Sequence, residues 1–184
     1  MSEELKGKVV VLGVTGSIAA YKAADIVSSL VKLGADVHVI LTEDAAHFIT
    51  PLTLRTLSRN EIVANLWDDT GWKPNHIKLA DADLLLVAPA TANTIARFAA
   101  GLADDMLGAT YLATRAPVLF APAMNTKMLE HPATQTNLDT LKKRGVRFVA
   151  PACGLLACGY KGDGHIAPVE EIVKAASDIL LGGD

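Results

Sequence analysis

The chain has 184 residues, 51% of them apolar and 20% charged, with a formal net charge of −3. A core can form from such a composition, so wholesale disorder is excluded, and the length suits one domain rather than two. No basic stripe marks a nucleic-acid surface, and the polar start Met1–Lys8 lacks a signal-peptide h-region. Apolar stretches such as Leu84–Ala92 are too short to span a bilayer. A cytoplasmic protein with no membrane or nucleic-acid partner is expected.

Aromatics make up only 5%, so Ala, Val, Leu and Ile must build the core. The run Val9–Leu12 stops at Gly13 and reads as a strand buried on both faces. Ser17–Leu33 has helical periodicity and ends at Gly34. Val37–Leu41 is a second strand, interrupted by His38; Glu43–Ile49 reads as helix, punctuated by Pro51. A short helix at Leu52–Leu57 and an extended piece at Ile62–Leu66 precede a loop, Trp67–Pro74, whose tryptophans are exposed or pack on a neighbouring subunit. His76–Ala80 reads as a short helix and Leu84–Ala88 as a third strand. Helices at Thr94–Ala100 and Asp104–Thr114 come next, then a strand at Val118–Ala121 and a helix from about Asn125. Thr134–Arg144 is amphipathic, Val146–Val149 is the last strand, and Val169–Leu180 closes the chain as a helix. Between them, Pro151–Pro168 carries Gly154, Gly159, Gly162 and Gly164 and reads as an irregular loop. This alternation predicts a doubly wound α/β domain whose mostly parallel sheet has helices on both faces, with ligands beyond the carboxyl ends of the strands.

Every chemically suggestive segment is expected just after a predicted strand. The turn Gly13-Val14-Thr15-Gly16-Ser17-Ile18 offers backbone N–H groups to a phosphate, while Ser17 equally suits a helix N-cap. Thr15 occupies what would be the second glycine of GxGxxG, and Lys22 comes too late for a P-loop. Thr42-Glu43-Asp44 can hold a ribose or start a helix. In Pro89-Ala90-Thr91-Ala92-Asn93-Thr94, small residues admit a planar ligand and Thr91, Asn93 and Thr94 offer hydrogen bonds; a capping turn reads the same way. Asn125, in Pro122-Ala123-Met124-Asn125, caps a helix or orients a carboxylate, and Met124 alone reads as core. His76 is structural or an acid–base group. Cys158 is a nucleophile, an acid or a small buried residue, and Cys153 is structural. Two cysteines make neither a disulfide framework nor a zinc site, and no HExxH or EF-hand pattern points to metal.

Five stretches acquire meaning together: Gly16-Ser17-Ile18-Ala19-Ala20-Tyr21-Lys22, Asn75-His76-Ile77-Lys78-Leu79, Pro89–Thr94, Ala121-Pro122-Ala123-Met124-Asn125-Thr126-Lys127-Met128 and Leu156-Ala157-Cys158-Gly159. In their order they match the homo-oligomeric flavin-containing cysteine decarboxylases, which the chain resembles over nearly its whole length. The resemblance implies a Rossmann-like flavoprotein fold with FMN as cofactor. Gly16, Ser17 and Ile18 would hold its phosphate, and Thr42, Asp44, Thr91, Ala92, Asn93, Thr94 and Ala123 would line ribityl and ring.

The resemblance also implies an activity. A cysteine carboxylate loses CO2 slowly because the carbanion has nowhere to delocalise; flavin oxidation of the thiol-bearing carbon to a thioaldehyde provides the electron sink. His76 would assist that oxidation, and Asn125, Met124 and Ala157 would bind substrate. Cys158 would supply the last proton from a mobile clamp loop at about 151–168. A proton-donating cysteine favours 4'-phosphopantothenoylcysteine as substrate, carried through an enethiol to 4'-phosphopantetheine. The alternative is a peptidyl-cysteine decarboxylase that stops at the enethiol. The implied assembly is a homotrimer, or a dodecamer of trimers, with FMN near subunit boundaries. The unit is either free-standing or the first half of a bifunctional chain. Departures from the family pattern lie in the late loop: Tyr160 follows Gly159, and His165 and Ile166 follow Gly164.

Overall fold

The computed structural model describes residues 3–67, 75–155 and 161–183. Five parallel strands form the main sheet: β1 (Val9–Val14), β2 (Asp36–Leu41), β3 (Leu84–Ala90), β4 (Val118–Pro122) and β5 (Arg147–Phe148), in the order β2-β1-β3-β4-β5. All residues of β3 and β4 are buried, as continuous apolar runs require when both faces are covered. The extended piece at Ile62–Leu66 touches the sheet edge through one parallel bridge, Val63 to Ile40.

Helices α1 (Lys22–Lys32), α2 (Pro51–Ser58) and α8 (Val169–Leu180) cover one face, where Ile26, Leu30, Leu54 and Ile172 are buried. On the other face lie α3 (Asn75–Ala80), α4 (Ala92–Ala100), α5 (Met106–Ala113) and α7 (Pro132–Lys143), where Leu79, Phe98, Leu107 and Leu141 are buried. Phe98 stacks on Tyr111 with centroids 4.1 Å apart and meets Phe120 edge-on at 5.5 Å. A short α6 (Thr126–Glu130) follows β4. Helices on both sides of a parallel sheet make the fold doubly wound.

Three local expectations change. The helix expected over Ser17–Leu33 begins as a 3-10 turn, Ile18–Tyr21, before α1: Ser17 Oγ accepts from Ala19 N at 3.2 Å, and Ala20 N bonds Ser17 O, tightening the first turn. Glu43–Ile49 is reduced to a 3-10 turn at Asp44–His47, its start held by Thr42 Oγ1 accepting from Ala45 N. Where it is described, the late segment is partly regular: β6 (Ala152–Leu155) and β7 (Lys161–His165) pair antiparallel as a separate two-stranded sheet. Backbone pairing there does without an apolar alternation, which is why the sequence pattern missed it.

Candidate functional site

The strand order reverses between β1 and β3, so their carboxyl ends open a crevice. A cavity of about 570 Å3 occupies it. The β1–α1 turn supplies Gly16, Ser17 and Ile18; the β3–α4 turn supplies Thr91, Ala92 and Asn93; the β4–α6 turn supplies Ala123, Met124 and Asn125. Asp44 enters from beyond β2, and Gly164, His165 and Ile166 close the rim from the end of β7. Ten of the expected site residues thus meet in one space although they are spread over more than a hundred positions of sequence.

The local geometry explains how they are held. Thr91 caps α4 by accepting from Thr94 N at 3.2 Å, and its hydroxyl lies 3.1 Å from that of buried Thr94, which braces the turn from inside the helix. Asn125 Oδ1 accepts from Lys127 N at 2.9 Å and starts α6. The capping readings of Ser17, Thr91 and Asn125 hold, and each cap also lines the cavity.

Two positions need glycine for close approach. A Cβ on Gly16 would lie 2.4 Å from Asp44 Cβ, so the β1 turn and the Asp44 backbone pack without room for a side chain. Gly164 has φ +128°, and a Cβ there would lie 2.2 Å from Met124 O, while Met124 N bonds Gly164 O at 3.0 Å.

Thr15 is the residue that sequence reasoning missed. Its buried hydroxyl donates to Pro89 O at 2.6 Å and accepts from Thr91 N at 3.2 Å, tying the β1 turn to the β3 turn across the cavity floor. The available signal was its place at the second glycine position of the turn.

A second, larger cavity of about 830 Å3 adjoins the first through Asp44. Thr42 lines this one, as do Trp67 and the ion-paired group of Arg97 with Asp104 and Asp105. The hydrogen bond from the Arg97 guanidinium holds the Asp104 carboxyl below the usual carboxylate range. Trp67 is 85% exposed in this chain, and Trp72 lies outside the described residues.

Other site expectations fall elsewhere. His76 is on α3, partly exposed, and lines neither cavity. Ala157, Cys158 and Tyr160 lie outside the described residues. His165 and Ile166, the departures in the late loop, both line the smaller cavity, and Ile166 is buried. Among the described residues no cluster of side chains could hold a metal ion, and no helix is long and apolar enough to cross a membrane.

The donor set suits a planar amphipathic group with a polar tail. Ile18, Ala123, Met124 and Ile166 give apolar walls, and Ser17, Thr91 and Asn93 supply hydrogen-bonding edges.

Residues 1–181 match the family model described as Flavoprotein. The chain is 48% identical to the coenzyme A biosynthesis bifunctional protein CoaBC of Bacillus subtilis, over 94% of this chain and 43% of that protein. It therefore spans less than half the length of that bifunctional relative. It is 47% identical to a probable phosphopantothenoylcysteine decarboxylase of Streptococcus mutans, over 94% of this chain and 99% of the other. Among solved structures, the FMN-dependent cysteine decarboxylase SpaF superposes with a TM-score of 0.85 at 30% identity, covering 96% of this chain and 97% of that one.

Proposed function

The chain belongs to the Flavoprotein family, and on that footing we propose that it is an FMN-dependent carboxy-lyase acting on 4'-phosphopantothenoylcysteine. It removes CO2 from the cysteine moiety and releases 4'-phosphopantetheine in coenzyme A biosynthesis. The observation that carries this reading is the single cavity into which the ends of β1, β3 and β4 deliver Ser17, Thr91, Asn93, Ala123 and Asn125. The full-length match to a probable decarboxylase of this substrate supports it.

Bound FMN supplies a reversible two-electron acceptor, which makes the thiol-bearing carbon an electron sink for decarboxylation. The residues of the chain do the rest. The Gly16-Ser17-Ile18 turn holds the phosphate through its N–H groups and hydroxyl. Asp44 would accept a hydrogen bond from the ribityl chain, with Thr42 in the adjoining cavity beyond it, and Thr91, Ala92, Asn93 and Ala123 would line the ring, the turn being braced by buried Thr94. Asn125, its amide plane set by the Lys127 N–H, donates to the substrate carboxylate and holds the scissile bond beside the ring. Met124 and Ala157 contact the substrate, and Cys158 delivers the final proton.

His76 takes up the thiol proton. Because it lines neither cavity of its own chain, it serves the site of a neighbouring copy in a homotrimer, alone or assembled further into a dodecamer. The cytoplasm is the compartment that this reading implies.

The test is to saturate the protein with FMN and incubate it with 4'-phosphopantothenoylcysteine, following CO2 and thiol products by mass spectrometry. The expected product is 4'-phosphopantetheine, and Cys158→Ser should stop at the enethiol. Absence of CO2 release would overturn the assignment. Turnover of a peptide ending in cysteine, with none of the phosphopantothenoyl substrate, would support a peptidyl-cysteine decarboxylase instead.

A further inference from the structure

At the opposite end of the sheet lies a cavity of about 550 Å3, between the α5–β4 connection and the α7–β5 connection. Arg115, Arg144 and Arg147 line it, half of the chain's six arginines, and no carboxylate does. In a chain of net charge −3, this local excess of three positive charges is out of keeping with the whole. None of the three guanidiniums forms an ion pair among the described residues, whereas Arg97 pairs with two carboxylates and Arg55 sits 3.7 Å from Glu61.

Two of the three are held in place by neutral partners. Arg144 Nη1 donates to Phe98 O at 3.3 Å, and Tyr111 lines the same cavity. Arg147 Nη1 donates to Gly183 O at 3.4 Å. A guanidinium carries five N–H donors, so these bonds fix each fork while leaving donors over. Arg115 makes no hydrogen bond among the described residues, and Gly145 beside Arg144 leaves open space, since a Cβ there would meet nothing within 4 Å. Anchored forks beside open room form a receptor for an anion with several oxygens, because planar guanidinium matches phosphate two bonds at a time.

We propose that this cavity binds the phosphate groups of a small phosphorylated molecule, of pyrophosphate size and charge. It is separate from the flavin cavity: β4, five residues long, places about 16 Å between the two ends of the sheet. Leu112, Pro117 and Val118 add an apolar wall against which the remainder of such a molecule packs.

The experiment is calorimetric titration of the flavin-saturated protein with pyrophosphate, against sodium chloride at matched ionic strength. Saturable binding is expected, with flavin absorbance unchanged throughout. The double variant Arg115→Gln/Arg147→Gln should bind about tenfold or more weakly, each lost charge-assisted contact costing severalfold, while its melting temperature without pyrophosphate stays that of the parent. Arg115→Gln alone, at a side chain without bonds, should show a smaller loss and guards against a folding defect. Equal binding by the double variant, displacement of flavin by pyrophosphate, or no saturable heat would each overturn the proposal.

Discussion

One hydroxyl at Thr15 satisfies two backbone groups of a strand turn 74 and 76 positions away, Pro89 O in a buried bond and Thr91 N in a part-buried one. Thr15→Val removes the donor and the acceptor together, leaving Pro89 O buried without that partner and Thr91 N without its tie to the β1 turn. The expected cost is about 2–4 kcal/mol in chemical denaturation, with weaker FMN binding because the two cavity walls separate; Thr15→Ser should restore most of both. A result within error of the parent would mean that the turns are held by other contacts. Gly164 makes the complementary case. Gly164→Ala drives a Cβ into Met124 O and should raise KM for the substrate, at about 1–3 kcal/mol in stability, while the flavin spectrum is retained; an unchanged KM would exclude the turn from substrate positioning. These residues differ in how far the sequence announced them. Ser17, Thr91 and Asn125 were legible because a cap is a local event, decided within two or three residues. The role of Thr15 was not, because its partners are remote and a threonine in a turn advertises nothing about them.

Between elements, the same division holds. β1, β3 and β4 were readable from unbroken apolar runs, since a strand covered on both faces tolerates little else. The β6–β7 hairpin was not, because Gly154, Gly162 and Gly164 with Lys161 and Asp163 give no apolar alternation, and ladder bonds alone define it. Helix α5 gave a further partial reading, its start moving from Asp104 to Met106 because Asp105 is its cap. Asp105 Oδ1 accepts from Gly108 N at 2.7 Å, and its other oxygen lies 3.0 Å from Arg97 Nη1 of α4. One carboxylate therefore starts one helix and tethers another, at the border of the larger cavity. Asp105→Ala should destabilise the fold by about 1–2 kcal/mol, mainly through the lost cap, with the partly buried ion pair adding a smaller share. Asp105→Asn, which can still cap, should recover most of that in urea titrations. If Asn fares no better than Ala, the ion pair rather than the cap carries the effect.

For the whole molecule, His76 and Asn125, which the proposed function gives to one reaction, do not line a common cavity within one chain. If the reaction centre is completed by a neighbour in a closed ring, His76→Asn and Asn125→Asp chains should each be inactive alone. Refolded together in equal amounts they should regain activity at about a quarter of the sites, as random assembly of a heterologous ring dictates. No recovery on mixing would place both residues in the service of the same chain's site. The hairpin bears on the molecule at this scale too. It shares no ladder with the five-stranded sheet, yet it delivers Gly164, His165 and Ile166 to the cavity and is tied to the β4–α6 turn by Met124 N and Gly164 O. Apart from Gly164, whose backbone the Met124 contact requires, the hairpin's register is set independently of the parallel core, so the chain joins a sheet that carries most of the cavity to a separately built rim. Exchanging residues 152–165 between relatives would therefore change the rim of the cavity and leave the register of the five-stranded sheet as it is.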